Sequence, residues 1–260
     1  MSTRPSNAAA PGRPPPRGRR PPDPTARARA DELAARGMPI QMALAVAAGR
    51  IDLNEALQQL AQREEVSRLV EQHALSRALA TQIVLQQAKL DDVLAARRLE
   101  KHRHDHRLRS VLDEHLVSGK PLGLLLHGKR RVVGNVLEVM PYEFRFKPED
   151  GPEELIHKLH AKLAFEAESF KKVRKVVKFD KELEGAPRAP IERPKDRYGC
   201  SDRRLFRYLD EREEVFVTLL EGEQFKGTVE WFGRFEFGLH LKGETVVTVF
   251  RHALADVRLA

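Results

Sequence analysis

Between Val215 and Phe235 the chain alternates with the two-residue period of a sheet. Val215, Val217 and Leu219 interleave with Phe216, Thr218 and Leu220, as in a strand covered largely on one side. Glu221-Gly222 is a turn signal. Phe225, Gly227 and Val229 then resume the alternation. A glycine inside a strand marks a sharp bend or a close backbone approach, and a small bent sheet needs such a point. Thr245–Phe250 is a β-branched, apolar run that continues into Arg251-His252-Ala253. Ahead of these strands, residues 201–212 place Leu205, Tyr208 and Leu209 on neighbouring helical faces. The expectation for residues 201–260 is a short helix followed by several short strands.

The rest of the chain is organised differently. Residues 1–27 are rich in proline, alanine and arginine, with Pro14-Pro15-Pro16 and Pro21-Pro22, and are expected to be a disordered tail. Residues 28–100 read as helical. Met42, Ala43, Val46 and Ala47, then Leu53, Ala56, Leu57 and Leu60, recur at helical spacing, and Asp52 with Glu55 resembles a capping box. Ala43–Leu57 aligns without gaps to Ala80–Leu94. Either two related helical hairpins or the mutual likeness of alanine-rich helices accounts for this. In residues 101–165 a helical stretch through Leu116 gives way to strand-like Leu122–Gly128 and Arg131–Glu138. Residues 166–200 read as a basic linker carrying Lys171, Lys172, Arg174, Lys175 and Lys178.

Length and charge narrow the classes. A chain of 260 residues holds about two domains. Its net charge of +8 favours acidic partners, nucleic acid first. Seven arginines against one acid lie in residues 1–30, whereas residues 201–260 hold nine basic and eleven acidic groups, so the excess lies in the tail and the middle. A single cysteine, Cys200, gives no disulfide framework and fits a reducing, cytoplasmic setting. No apolar run approaches the roughly 20 residues that span a bilayer, and the N-terminus has no apolar signal region. Of His102, His104 and His106, only His102 and His106 share a helical face, and no third ligand has clear spacing. They read as a solvated basic helix start. His240 has no visible partner. No Gly-rich phosphate loop or distinct carboxylate pair appears. The expectation is a non-enzyme without cofactor or metal.

Residues 201–260 resemble the Hfq family of bacterial Sm-like RNA chaperones. The carriers are the order of one helix and five strands, the glycines Gly222 and Gly227, Phe232 and Phe235 in register, and the terminal Phe250-Arg251-His252-Ala253-Leu254. The resemblance needs no gap from Val215 to Phe235. It implies a strongly bent five-stranded antiparallel sheet or small barrel, rings closed by edge-strand pairing, and a face for U-rich RNA ends. On that face Phe235 would stack on a base, with Arg251 and His252 of the Phe250-led motif contacting base and phosphate. Departures are equally plain. Thr218 stands where the family stacks purines with a tyrosine, Glu223 replaces an apolar residue, and Asp210–Glu214 holds one arginine among four acids where the family has an arginine rim.

The middle segment can be laid over the last. Val136–Phe144 aligns to Val229–Phe237, pairing Tyr142 with Phe235. Gly128 pairs with Gly222, with one inserted residue before Gly134 and Gly227. Leu112-Asp113-Glu114 pairs with Leu209-Asp210-Glu211, and His160-Ala161 with His252-Ala253, across a longer loop at Lys147–Pro152. The expected class is therefore α+β: tandem Sm-like domains at 101–165 and 201–260, joined by a linker at 166–200 and preceded by a helical region and a tail. Three chains would then make a six-domain ring.

Each candidate residue also has a plainer reading. A phenylalanine in a small β-domain is core more often than ligand, a lone histidine is more often structural, and Arg251 could be a solvated surface charge. The functional expectation is a cytoplasmic regulator binding single-stranded, U-rich RNA through Phe235, Phe250, Arg251 and His252, with no membrane partner. The tail and the basic residues at 171–178 would add salt-dependent affinity. The competing expectation is an oligomerisation scaffold whose residues 28–100 bind a protein.

Overall fold

Four alanine- and leucine-rich helices open the structure: α1 (Pro24–Ala35), α2 (Ile40–Ala47), α3 (Leu53–His73) and α4 (Arg77–Val84). The computed structural model describes residues 24–191, 193 and 200–260. The disordered tail expected for residues 1–27 lies outside the described residues as far as Asp23. From Pro24 the chain is helical instead, because a proline at the first helical position lacks an N–H that would be unpaired there anyway. The described residues up to Leu90 form one compact unit, and Asp91–Ala260 form a second.

The helical unit buries Ala30, Met38, Met42, Ala43, Val46 and Ala56 together. Asp52 caps α3 by accepting from the Asn54 N–H at 2.8 Å. The expected box is only half formed, since Glu55 accepts from Gln59 at 3.4 Å. The sequence echo has a counterpart in the order and spacing of the helices. Arg77–Val84 follows Ile40–Ala47 at a constant spacing of 37 residues, and α5 (Leu90–Asp105) opens 37 residues after α3. Gly49 and Gln86 both hold positive φ, at 68° and 58°, and donate to Val46 and Ile83 at 2.9 Å in each case. The two helix ends thus share a local turn geometry.

The second unit contains α5, then α6 (Val111–Ser118) and five strands, β1 (Leu122–Leu126), β2 (Arg131–Val139), β3 (Glu143–Pro148), β4 (Glu154–His157) and β5 (Ala161–Glu166). After α7 (Phe170–Val176), β6 (Lys178–Phe179) and α8 (Lys181–Gly185), the pattern recurs: α9 (Asp202–Asp210), β7 (Glu214–Leu219), β8 (Glu223–Phe232), β9 (Glu236–Leu241), β10 (Thr245–Phe250) and β11 (Leu254–Leu259). The fold is α+β. Among the described residues eleven strands form one antiparallel sheet, ordered β11-β7-β8-β9-β10-β5-β1-β2-β3-β4, with β6 added on β8.

The two five-strand sets match at a constant spacing of 93 residues. Leu122 pairs with Gly134 as Val215 pairs with Gly227. Register shifts fall between Val136 and Glu138 in one set and between Val229 and Trp231 in the other. Met140 N–H donates to the Glu143 carbonyl at 2.9 Å as Gly233 does to Glu236 at 2.8 Å, and His127 donates to His160 as Leu220 does to Ala253, both at 2.9 Å. Gly134 and Gly227 do the same work. A Cβ would lie 2.0 Å from the Lys147 carbonyl oxygen at Gly134 and 2.4 Å from that of His240 at Gly227.

This register corrects several sequence pairings. No residue is inserted before Gly134. Gly222 stands opposite Lys129, which holds the same left-handed turn with φ 57° against 92°, and Gly128 stands opposite Glu221. The Lys147–Pro152 segment has no extra residues, because β4 merely begins later than β10. His160 falls at Ala253, not at His252. Leu112-Asp113-Glu114 lies in the first turn of α6, whereas Leu209-Asp210-Glu211 closes α9, so these triplets do not correspond.

The sets join edge to edge. β10, fourth strand of the second set, pairs with β5, fifth of the first, through Val247↔Phe165, Thr248↔Ala164 and Val249↔Leu163. Apolar packing crosses this seam both ways: Leu163 and Phe165 enter the core of the second set, and Phe250 enters that of the first. The sheet is open, not the closed small barrel that was the alternative expectation, and β4 and β11 are its outer edges among the described residues.

The stretch expected to be a basic linker is partly built into the sheet. β6 pairs with β8 through Lys178↔Gln224 and Phe179↔Glu223. Asp180 N–H donates to the Gly222 carbonyl at 2.8 Å and Arg188 N–H to that of Leu220 at 3.0 Å. A Cβ at Gly222 would lie 2.9 Å from the Glu184 nitrogen, so the strap needs a glycine beneath it. α5, expected in the helical region, belongs with the sheet. Arg98 pairs with Asp210 at 2.8 Å and Arg103 with Asp202 at 2.7 Å.

Candidate nucleic-acid interface

Two equivalent tight turns, β2–β3 and β8–β9, each present one aromatic ring to solvent. Phe235 is 65% exposed and Tyr142, 93 residues earlier, is 75% exposed. Single exposed apolar residues are ordinary. Here the same position is aromatic and exposed in both sets, and both rings line one cavity of about 1110 Å³ at the seam. The sheet pairing of β10 with β5 creates this cavity, because it sets the β8–β9 turn beside the β4–β5 corner.

His252 reaches the cavity from the 3-10 turn Arg251–Ala253. Its Nε2 lies 2.8 Å from the Ala161 carbonyl, and its ring stacks on Phe250 with centroids 5.7 Å apart. The matching turn of the first set, Lys158–His160, adds Lys158 and His160, with His157 just before it. His157 accepts from the Leu159 N–H at 3.2 Å, which fixes its ring at the turn. The cavity thus combines flat aromatic faces, imidazoles and a lysine, the groups that stack on bases and donate to phosphate.

The structure brings together Phe235, Phe250 and His252 but gives them different surroundings. Phe250 is 5% exposed and belongs to the core of the first set, where it backs His252. Arg251 does not line the cavity. Its guanidinium donates to Asp202 at 2.9 Å, to the Gly233 carbonyl at 3.0 Å and to that of Cys200, fastening α9 and the end of the linker to the β8–β9 turn. Lys171, Lys172, Arg174 and Lys175 are exposed on α7 around buried Val173, and exposed Lys178 sits in β6. None of the five lines the cavity. Tyr142, His157, Lys158 and His160 were absent from the expected site. The 93-residue spacing marks the first three, since it places Tyr142 at Phe235 and His157-Lys158 at Phe250-Arg251, whereas His160 falls at Ala253 and has no such signal.

Beside the cavity the seam holds buried charge. Lys162 of β5 is fully buried, and its Nζ contacts Glu221 and Glu223 from the β7–β8 turn. Glu221 also accepts from the Gly128 and Lys129 N–H groups, at 2.7 and 3.2 Å. Burial alone would raise the Glu221 carboxyl, but Lys162 and these N–H groups outweigh it and hold its pKa below the ordinary value. His127 lies against this cluster and lines the cavity. Burial, then the nearby Lys162 ammonium, lowers its pKa to about 4. Glu236, in the cavity wall, is buried and accepts from the Val111 N–H at 2.7 Å, at the start of α6. Its burial raises its pKa to about 7.

His102 and His106 are not the solvated helix start expected of them: they lie at the end of α5 and its closing turn, with their rings against Phe232 and Trp231 of β8. His102 accepts from the Phe232 N–H at 3.2 Å, and its ring lies 4.3 Å from that of His106. Burial lowers the pKa of both. Among the described residues no group of three or more metal-binding side chains occurs. No helix among them is long and apolar enough to cross a membrane. No family model matches the chain, and no curated protein matches it in sequence.

Proposed function

We propose that this protein binds single-stranded RNA in the seam cavity, with its two five-strand sets acting as tandem Sm-like domains of the kind the sequence resembles. The observation that carries the reading is the pair of equivalent exposed rings, Phe235 and Tyr142, at the mouth of a cavity that also holds His252 and Lys158. Stacking tolerates any base, and the preference for U-rich ends rests on the resemblance. Phe235 and Tyr142 supply the stacking faces, His252 and Lys158 meet base edge and phosphate, and Arg251 acts as a positioning residue for the β8–β9 turn. In this reading the role is that of a cytoplasmic binding protein and regulator. The exposed lysines and arginine at 171–178 add non-specific affinity for phosphate.

The same reading extends to assembly. The seam within the chain joins a fourth strand to a fifth strand. The outer edges are again a fourth strand, β4, and a fifth, β11. Pairing them between chains covers both edges, and three chains then close a six-domain ring.

The decisive experiment is a titration of a labelled uridine oligomer against the full chain and the Phe235→Ala/Tyr142→Ala variant. Loss of about 2–6 kcal/mol is expected if each ring stacks one base at about 1–3 kcal/mol. Unchanged affinity rejects the site. The scaffold reading, with residues 28–100 holding a protein, draws on the exposed Ile40, Leu57 and Leu85 of the helical region. Removing residues 1–90 and retaining RNA affinity would count against it.

A further inference from the structure

Glu100, Arg103, His104 and Arg107 recur at the spacing of one helical face along α5 and its closing turn. The neighbouring face, with His102 and His106, is turned against Phe232 and Trp231 of β8. The first face therefore looks outward, onto a trough of about 520 Å³ whose far wall carries Arg234 and Arg251.

We propose that this trough is a phosphate-binding track for the RNA strand that leaves the seam cavity. The inference rests on the RNA-binding reading and adds the path of the strand. Four arginines, Arg103, Arg107, Arg234 and Arg251, line the trough with two acids, Glu100 and Asp202. Asp202 is already engaged by Arg103 at 2.7 Å and Arg251 at 2.9 Å. Glu100 lies 3.5 Å from Arg103. The side chains of Arg107 and Arg234 have no ion pair or hydrogen bond with any described residue, so two guanidinium groups are open to a ligand, and both are exposed. The Arg234 carbonyl is used by Arg251, but its guanidinium stands 5.0 Å from the Phe235 ring. Arg234 thus links trough and cavity: a base stacked on Phe235 places its own phosphate beside Arg234, and the next phosphate runs toward Arg107. Guanidinium groups suit this, since their planar forks match phosphate oxygens. The second set has one arginine among the four acids of Asp210–Glu214, so the basic surface near its site comes instead from α5, outside the five-strand set.

The test uses two labelled probes, a uridine trinucleotide that fills the cavity alone and a uridine dodecamer that reaches the trough. Full-length protein is compared with Arg107→Ala and Arg107→Glu, neither of which breaks a side-chain interaction with a described residue. Dodecamer affinity should fall about 3-fold for Arg107→Ala and about 10-fold for Arg107→Glu, and the dodecamer salt slope should flatten by about 0.7 for each phosphate no longer neutralised. Trinucleotide affinity should change by less than about 2-fold, because the short probe stacks its end base on Phe235 and keeps its other two nucleotides in the cavity, so none of its phosphates passes Arg234. Dodecamer binding unaffected by Arg107→Glu overturns the track, as does an equal loss for both probes. Phe235→Ala keeps the two readings apart: if it weakens both probes while Arg107→Glu weakens neither, the cavity stands and the track falls. If the unmodified protein binds neither probe, both fall.

Discussion

The two five-strand sets share a backbone almost residue for residue and differ in nearly every side chain. Over the 45 matched positions from Leu122–Glu166 to Val215–Leu259, only Leu126, Gly134, Val136, Glu143 and Phe144 recur unchanged at Leu219, Gly227, Val229, Glu236 and Phe237. The retained residues are backbone and core determinants, apart from the glutamate of the turn. Glycine is required where a carbonyl approaches within 2.0–2.4 Å of any Cβ, and Phe144 and Phe237 are fully buried. What diverged is what faces the seam. The second set offers Glu221 and Glu223 to it, and the first offers Lys162 and His127. Their counterparts 93 residues away are Gly128, Arg130, Ala255 and Leu220, which cannot form the same cluster. The two kinds of edge are thus chemically distinct, although their strands correspond.

The largest effect is expected where that difference is greatest. Lys162→Met leaves two buried carboxylates without their cation and should cost about 3–5 kcal/mol in thermal or denaturant unfolding. Adding Glu221→Gln and Glu223→Gln should recover most of that loss. A single variant as stable as the parent would show that the seam does not depend on the cluster. Gly134→Ala and Gly227→Ala sharpen the likeness instead: each forces a Cβ against a carbonyl, and both should lose about 1–3 kcal/mol. A loss confined to one of them would break the equivalence of the bends.

For the rings, Phe235→Ala and Tyr142→Ala made singly should each cost about 1–3 kcal/mol of oligo-uridine affinity with unchanged melting. Loss at Phe235 alone would make the first set a structural partner. The smallest expected effect is a pH slope. Glu236 is raised from 4.5 to about 7, so its favourable contribution is complete below pH 4.5 and is lost as pH rises through 7. His127 is lowered from 6.5 to about 4, so its contribution is complete above pH 6.5 and is lost as pH falls through 4. The slopes oppose one another between pH 4.5 and 6.5. Glu236→Gln should expose the His127 slope, a fall in stability on the order of 1 kcal/mol per pH unit on acidification, read from melts at stepped pH. A flat profile in that variant would reject the assignment.

Much of this was legible in the sequence. The strands of the second set follow from alternation, and Tyr142 is found opposite Phe235 by aligning Glu143-Phe144 to Glu236-Phe237. The errors had local causes. Matching Gly128 to Gly222 by identity forced a false insertion, because a lysine at position 129 holds the left-handed turn usually reserved for glycine. The basic run at 171–178 looked like solvated linker, yet Val173 anchors it and Phe179 adds a strand to β8. The joining of β10 to β5 was beyond reach, since pairing between strands some 80 residues apart leaves no local pattern. Arg251 was recognisable as a motif residue, but nothing near it in sequence announced Asp202 or the Cys200 carbonyl as its partners.

The β10–β5 seam lies within one polypeptide, and its cavity inherits that linkage. A pocket formed between separate subunits empties as the protein is diluted below the subunit affinity. Here the two walls are tethered, so the effective concentration of one for the other is set by the connecting segment and not by how much protein is present. The cavity should therefore survive in a lone chain, and dilution should alter only what happens at β4 and β11.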